Sequence, residues 1–266
     1  MKKIFIIAVA FISAIFIGIF VINIYEVDTT VTQEITKVGL LLNGTKDDGN
    51  WCQSHYDGLQ KTASQLNLEI HLRENVAAEN VTTNIDELIS KGCEIIIANS
   101  FEFGDGVKES AEKYPEIYFF HATGVEKGKN FSSYFGRMYQ IRYLTGIVAG
   151  LQTKTNQIGY VAAYPISEVN RGINAFTLGV RAVNPDAVVH VKWCNSWTDD
   201  AATRKAAEAL FDEYPVDVVA MHPDSLRVLE LAEERGVWSI GYNLDNAKEF
   251  PETYLTAPVW QWENYY

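Results

Sequence analysis

Carboxylates, amides and aromatic rings recur together in short segments of this chain, and each segment directly follows an apolar run. The first is Asn43-Gly44-Thr45-Lys46-Asp47-Asp48-Gly49-Asn50-Trp51. Asn99-Ser100-Phe101-Glu102-Phe103-Gly104 and His121-Ala122-Thr123-Gly124 follow. Further along stand Tyr164-Pro165-Ile166-Ser167-Glu168, Asn195-Ser196-Trp197-Thr198-Asp199, His222-Pro223-Asp224-Ser225 and Asn243-Leu244-Asp245. Flat rings beside a few directed polar groups suit a planar heterocycle. Stacking supplies affinity, and Asp or Asn fixes orientation through hydrogen bonds. Catalysis has no such support. The chain carries no G-x-S-x-G elbow, no H-E-x-x-H and no G-x-x-x-x-G-K-[ST]. Asp47 and Asp48 are adjacent, so their side chains diverge, and no partner motif makes them a catalytic or metal dyad. No nucleophile with a base and an orienting group can be read. Cys52, Cys93 and Cys194 are far apart, odd in number and without a C-x-x-C pair, so no metal site and no cofactor is expected.

Each of these residues also has an ordinary structural reading. Trp51, Phe103 and Trp197 serve equally as packing residues. Asp48 and Asp199 precede helical patterns, where carboxylates cap helices, and Asp224 and Ser225 are capping types too. His121 and His222 belong to a class more often satisfied inside a fold than used as ligand or base. The recurrence carries the expectation, more than any one residue.

The elements that must position these loops alternate regularly. Strands are expected at Val38–Leu42, Glu69–Arg73, Ile95–Ala98, Ile117–His121 and Ser132–Phe135. Helices are expected at His55–Leu66, Asn84–Lys91, Asp105–Tyr114 and Arg137–Thr153. The pattern then restarts. Strands are expected at Gln157–Ala162, Val188–Trp193, Val216–Met221, Trp238–Tyr242 and Thr253–Ala257, and helices at Gly172–Val183, Ala201–Tyr214 and Ser225–Arg235. Such alternation predicts parallel sheets flanked by helices. Two α/β lobes follow, residues 37–154 and 155–266, with no sequence repeat between them. Ligands of open parallel sheets sit beyond the carboxyl ends of the strands, where the aromatic and polar segments fall.

Lys2 and Lys3 precede an uncharged apolar stretch from Ile4 to Ile24. As a helix it would span roughly 30 Å, the thickness of a bilayer core. It reads as an uncleaved signal anchor over residues 1–27 with the lysines on the cytoplasmic side, followed by a linker at 28–36. An ordinary signal peptide is the alternative. Both put the remainder outside the cytoplasm. The 266 residues are 47% hydrophobic and 21% charged, with a formal net charge of −12. That is a globular composition, and nothing in it forms the basic stripe a nucleic-acid partner needs.

At these same loops the sequence resembles the basic membrane protein family of substrate-binding proteins from bacterial ABC transporters, which includes purine nucleoside-binding lipoproteins. Asp47-Asp48-Gly49-Asn50-Trp51-Cys52-Gln53-Ser54 and Ala98-Asn99-Ser100-Phe101-Glu102-Phe103-Gly104 carry the resemblance. So do Tyr134-Phe135-Gly136-Arg137, Tyr143-Leu144-Thr145-Gly146, Ile158 to Ala163, Arg171 to Phe176 and Pro258-Val259-Trp260. The resemblance spans Lys37 to Tyr266. It implies a two-lobed type I periplasmic-binding fold holding a purine base or nucleoside in its cleft. By the same resemblance Trp51 is the ring that stacks on the base and Asp48 lies in the loop that supplies a carboxylate. Phe103 matches the aromatic after the third strand, and Trp197, Asp224, Asn243 and Asp245 match the second lobe's cleft loops. The implied partners are a small-molecule ligand and an ABC permease. The family's lipid-bearing cysteine has no counterpart here, and relatives are expected to continue beyond Tyr266 with elements returning to the first lobe. A ligand-sensing domain of a transmembrane receptor, with its own signalling module, is therefore the alternative.

Overall fold

The computed structural model describes residues 35–266. The expected anchor and nearly all of the linker lie outside the described residues.

The first sheet contains β1 (Thr36–Leu41), β2 (Leu68–Arg73), β3 (Ile95–Ala98), β4 (Tyr118–Ala122) and β5 (Phe131–Tyr134). Their order is β2-β1-β3-β4-β5, and every pair is parallel. Central β1 is buried from Val38 to Leu41, because helices cover both of its faces. On one face α1 (Trp51–Leu66) buries Leu59 against Val38, Leu40 and Ile97. On the other, α2 (Val81–Ser90) and α3 (Gly104–Lys113) bury Val81, Ile85, Leu88 and Val107 against Leu41, Ile96 and Phe119.

The second sheet contains β6 (Gln157–Ala162), β7 (Val188–Trp193), β8 (Val218–Met221), β9 (Trp238–Ile240) and β10 (Tyr254–Thr256). Its order, β10-β9-β8-β6-β7, is the first sheet's order read from the opposite edge, again wholly parallel. The topology repeats although the sequence does not. In each sheet the chain doubles back beside its first strand, between β1 and β3 and between β6 and β8. A crevice opens at that point. The helices here are α4 (Met138–Gln152), α5 (Ser167–Val183), α6 (Asp200–Glu213) and α7 (Arg227–Arg235).

Two crossings join the lobes, and both differ from the expected boundary at 154/155. The chain first leaves the first sheet after β5. Helix α4 already belongs to the second lobe, with Met138 and Ala149 in its cores. Helix α4 packs so closely on α5 that two glycines are obligatory. A Cβ on Gly146 would lie 2.1 Å from the Phe176 carbonyl oxygen, and one on Gly179 would lie 2.0 Å from that of Tyr143. The second crossing follows β10. Val259 bridges to Asn243, and the chain then returns to the first lobe, where a 3-10 turn, Trp262–Asn264, packs on α1. Trp262 joins the first-lobe core. It stacks on His55 with ring centres 4.3 Å apart, and its Nε1 donates to Ser54 Oγ at 3.1 Å. His55 also pairs with the Tyr266 hydroxyl. The last residues, expected in the second lobe, therefore pack on the first, because this aromatic cluster buries them there.

Helices α2, α3 and α6 start one to three residues before the expected position, at Val81, Gly104 and Asp200, and two others start four or five residues early. Helix α1 begins at Trp51 instead of His55, and α5 at Ser167 instead of Gly172. Both extra turns border the crevice between the lobes.

Gly146→Ala gains roughly 1 kcal/mol of helix propensity, but its methyl collides with backbone that has no rotamer to yield. It should lower the unfolding free energy by about 1–3 kcal/mol in urea titrations. An unchanged or raised midpoint would contradict the close helix contact.

Candidate functional site

A cavity of about 550 Å³ lies where the two switch points meet. The first lobe contributes Asn43, Trp51, Asn99, Phe101 and Phe135 to its wall, and the second contributes Trp197, His222, Asp224, Tyr242 and Asn243. A second space of about 460 Å³ shares Asn43 and Trp197 with it and carries the carboxylates Glu79 and Glu102.

Trp51 is the first residue of α1. Its indole Nε1 donates to the Asn99 carbonyl at 3.0 Å, and its ring is braced edge-on by His55, Trp260 and Trp262 at 4.3–5.9 Å. The ring is therefore held at the cavity wall with its polar atom already satisfied. Asp48 makes that start possible. Its Oδ1 accepts from the backbone N–H of Asn50 (2.8 Å) and Gln53 (3.0 Å), and its Oδ2 from that of Cys52 (3.0 Å). These are the N–H groups that a helix start leaves without partners. Burial pushes the Asp48 pKa up, only partly offset by these bonds. Cys52 places two cavity amides: its Sγ donates to Asn43 Oδ1 at 3.2 Å and accepts from Asn99 Nδ2 at 3.4 Å. Burial and the nearby Asp48 and Asp224 carboxylates push this thiol far above its ordinary range, so it is an inert bracket.

Across the lobes, Asn243 Nδ2 donates to Asn50 Oδ1 (2.6 Å) and to Asp224 Oδ1 (2.9 Å). Trp260 Nε1 donates to Asn243 Oδ1 at 2.8 Å. Asn246 Nδ2 adds a bond to the Gly49 carbonyl at 3.2 Å. Asp224 keeps its Oδ2 free of protein bonds among the described residues. Burial first, then the Asp48 charge, raises its pKa well above the ordinary value against the pull of Asn243.

Trp51, Trp197, Asp224 and Asn243 thus come together in one cavity, while Asp48, Phe103 and Asp245 do not line it. Asp48 is consumed as a cap. Phe103 is 1% exposed and lies in the α2–α3 core, whereas Phe101 is 45% exposed and lines the cavity. The two rings sit two residues apart in a 3-10 turn, which has three residues per turn and so sends them to different sides. Asp245 closes a turn, accepting from the Ala247 N–H at 3.1 Å. Asp199 caps α6 through Ala202. His121 is structural, with Nε2 paired to the Ser100 carbonyl at 2.6 Å. Thr123, a β-branched residue, is held at φ +63° on the cavity wall, a strain of a kind that gathers at binding sites.

Phe101, Glu168, Arg171 and Tyr242 also line the cavity beyond the expected residues, as does His222, first read as structural. Glu168 and His222 were visible as strand-end residues. Arg171 lies three residues after Glu168, on the same face of α5. Burial pushes the Glu168 carboxyl up, but the His222 imidazole and the charges of Arg142 and Arg171 outweigh it, so its pKa lies below the ordinary value. No cluster of metal-binding side chains occurs among the described residues.

Residues 35–266 match the family described as ABC transporter substrate-binding protein PnrA-like (Bmp). A Haloferax volcanii protein carrying the provisional name ABC transporter glucose-binding protein is 39% identical over 82% of this chain and 56% of its own length. A purine-binding protein of Brucella abortus is 36% identical over 88% of this chain and 67% of its own length. The chain therefore spans about half to two thirds of these relatives. Among solved structures, an ABC transporter solute-binding protein from Aeropyrum pernix superposes with a TM-score of 0.75 at 19% identity, over 86% of this chain and 68% of that one. A transcriptional activator of the comK gene from Bacillus halodurans gives 0.73 at 26% identity, over 86% of this chain and 79% of that one.

The raised Asp224 pKa has a definite sign in stability. The unfolded carboxyl loses its proton first as pH rises, so the ligand-free fold loses stability as pH climbs above the ordinary Asp value. Asp224→Asn should raise the melting temperature of ligand-free protein at pH 7 by about 2–4 °C, with the difference vanishing below pH 4. Calorimetry at both pH values checks this, and a lower melting temperature at pH 7 would refute it.

Proposed function

We propose, on the premise that the chain belongs to the PnrA-like (Bmp) family of ABC transporter substrate-binding proteins, that it captures a purine base or nucleoside in the interlobe cavity and delivers it to a membrane permease. The family is one of extracytoplasmic solute-binding proteins. The observation that carries the ligand reading is Trp51. This indole is fixed at the cavity wall by its own hydrogen bond and by ring contacts with His55, Phe135, Trp260 and Trp262, beside the amides Asn43 and Asn99. The ring offers a stacking surface, and the amides both donate and accept at a heterocycle's edge. Trp197 and Asp224 add a second ring and a carboxyl with one free oxygen from the other lobe. The 36% identity to a purine-binding relative supports the same reading. The net charge of −12 and the Glu79–Glu102 rim favour a ligand without phosphate.

In this proposal the apolar stretch Ile4 to Ile24 tethers the protein to the outer face of the membrane. A sensing role would use the same cavity. The fold shared with the Bacillus halodurans transcriptional activator favours keeping it as the second reading.

Calorimetry of the 266-residue chain with adenine, adenosine, guanosine and inosine tests the ligand. At least one should bind, and none binding to demonstrably folded protein refutes the purine reading. Trp51→Ala should weaken the bound purine by about tenfold or more, the loss of one ring–base stack. A change under twofold would remove Trp51 from the ligand contact.

A further inference from the structure

The second-lobe wall of the cavity has a polar corner that the protein leaves incomplete. His222 is 6% exposed and lines the cavity, yet its Nδ1 has no hydrogen-bond partner among the described residues. Its ring is fixed by stacking on Tyr242, centres 5.2 Å apart. The Nε2 atom faces Glu168 Oε2 at 3.8 Å, an ion-pair distance too long for a hydrogen bond. The Glu168 carboxylate accepts no other hydrogen bond among the described residues, and it also lines the cavity. Arg171, from the same turn of α5, also lines the cavity, with its guanidinium 5.7 Å from the Tyr139 ring centre. Behind them lies Arg142, 1% exposed. Its Nη2 donates to the Met221 carbonyl at 2.9 Å, its guanidinium stacks 3.9 Å from the Tyr242 ring centre, and its Nη1 is unpartnered. The Tyr160 hydroxyl beside it is unpartnered as well.

Buried polar atoms in folded proteins are nearly always paired, so such a gathering marks a place that something polar completes. The corner's chemistry is restrictive. A carboxylate that faces the His222 imidazole and the Arg142 and Arg171 charges only accepts when ionised, so the incoming group must donate. Arg171 only donates, so that group must also accept. Adjacent hydroxyl groups do both. We propose that Glu168, supported by Arg171 and His222, forms a specificity-determining subsite that takes a vicinal pair of ligand hydroxyls, the sugar end of a nucleoside. The identity of the aromatic end's occupant rests on the purine reading, whereas the hydroxyl preference rests on this corner alone.

The test crosses a ligand edit with a protein edit. Adenosine and 2′-deoxyadenosine are titrated into the wild-type chain and into Glu168→Gln, and ribose and glucose are titrated into both. Wild type should prefer adenosine by about tenfold or more, the scale of one hydrogen bond to a charged group. In Glu168→Gln that preference should fall to about twofold, since the two changes remove the same contact. Arg171→Gln, on the exposed side of the helix, should shrink the preference in the same direction and stands in if Glu168→Gln unfolds. An equal preference in wild type and variants, or none in wild type, overturns the subsite and leaves the purine reading intact. Binding of ribose or glucose but no purine, with about a tenfold loss in Glu168→Gln, upholds the subsite and refutes the purine reading. Binding of neither class refutes both.

Discussion

The side-chain amide of Asn243 is the point through which the two lobes, the returning chain and the cavity are joined. One donor pair reaches Asn50 on the first lobe and Asp224 on the second, and the carbonyl receives the Trp260 indole. Its backbone N–H donates to Pro258 and its carbonyl accepts from Trp260, which begins the second crossing. The residue is fully buried and held at φ +71°, a conformation that Asn tolerates better than most side chains. A made hydrogen bond contributes about 1 kcal/mol, but an orphaned buried partner costs about 1–3. Three partners would be orphaned together here, so the network's worth lies less in what it adds than in what its loss exposes. Aspartate cannot replace it, having no donors for Asn50 or Asp224.

Asp224 and Glu168 show how one lobe builds two different carboxyl groups. Both line the cavity. Asp224 is desolvated and faces the Asp48 charge with one amide for relief, so it resists ionisation. Glu168 is half-buried, and His222, Arg142 and Arg171 beside it draw its pKa below the ordinary value. The first can act as donor or acceptor as a ligand requires, and the second is an acceptor only. Environments that drive two carboxyl groups apart in this way assign them different tasks. The difference comes from the neighbours: Asp48 and Asn243, in loops before α1 and after β9, act on Asp224, whereas His222 after β8, Arg142 on α4 and Arg171 on α5 act on Glu168. No local reading of His222-Pro223-Asp224 or Ser167-Glu168 could supply it.

The alternation of strands and helices was legible because it rests on local apolar periodicity. Ile95–Ala98, Gln157–Ala162 and Val188–Trp193 fall where that pattern puts them. The crossings were less legible because they depend on contacts distant in sequence. Helix α4 reads as the end of the first lobe until Gly146 is seen to need the Phe176 backbone beside it. The terminal Trp262 and Tyr266 read as part of the second lobe until His55 and Tyr134 are seen to receive them. The choice between Phe101 and Phe103 turned on a 3-10 turn that composition does not announce.

The two largest shifts in helix start, in α1 and α5, have one cause, and it is tied to where the cavity lies. A helix following a parallel strand begins at the sheet's carboxyl edge, with its first N–H groups lacking partners. The first turn therefore faces the crevice and not the core. Asp48, just ahead of α1, caps its first turn, while Trp51 in α1 and Glu168 in α5 form part of the cavity wall. Apolar periodicity begins only once the helix reaches its own sheet, near His55 and Gly172. The gap between the end of a strand and the onset of helical periodicity is thus itself informative. In both lobes such a gap supplies part of the cavity wall, Asn43 and Trp51 in the first and Pro165, Ile166, Ser167 and Glu168 in the second.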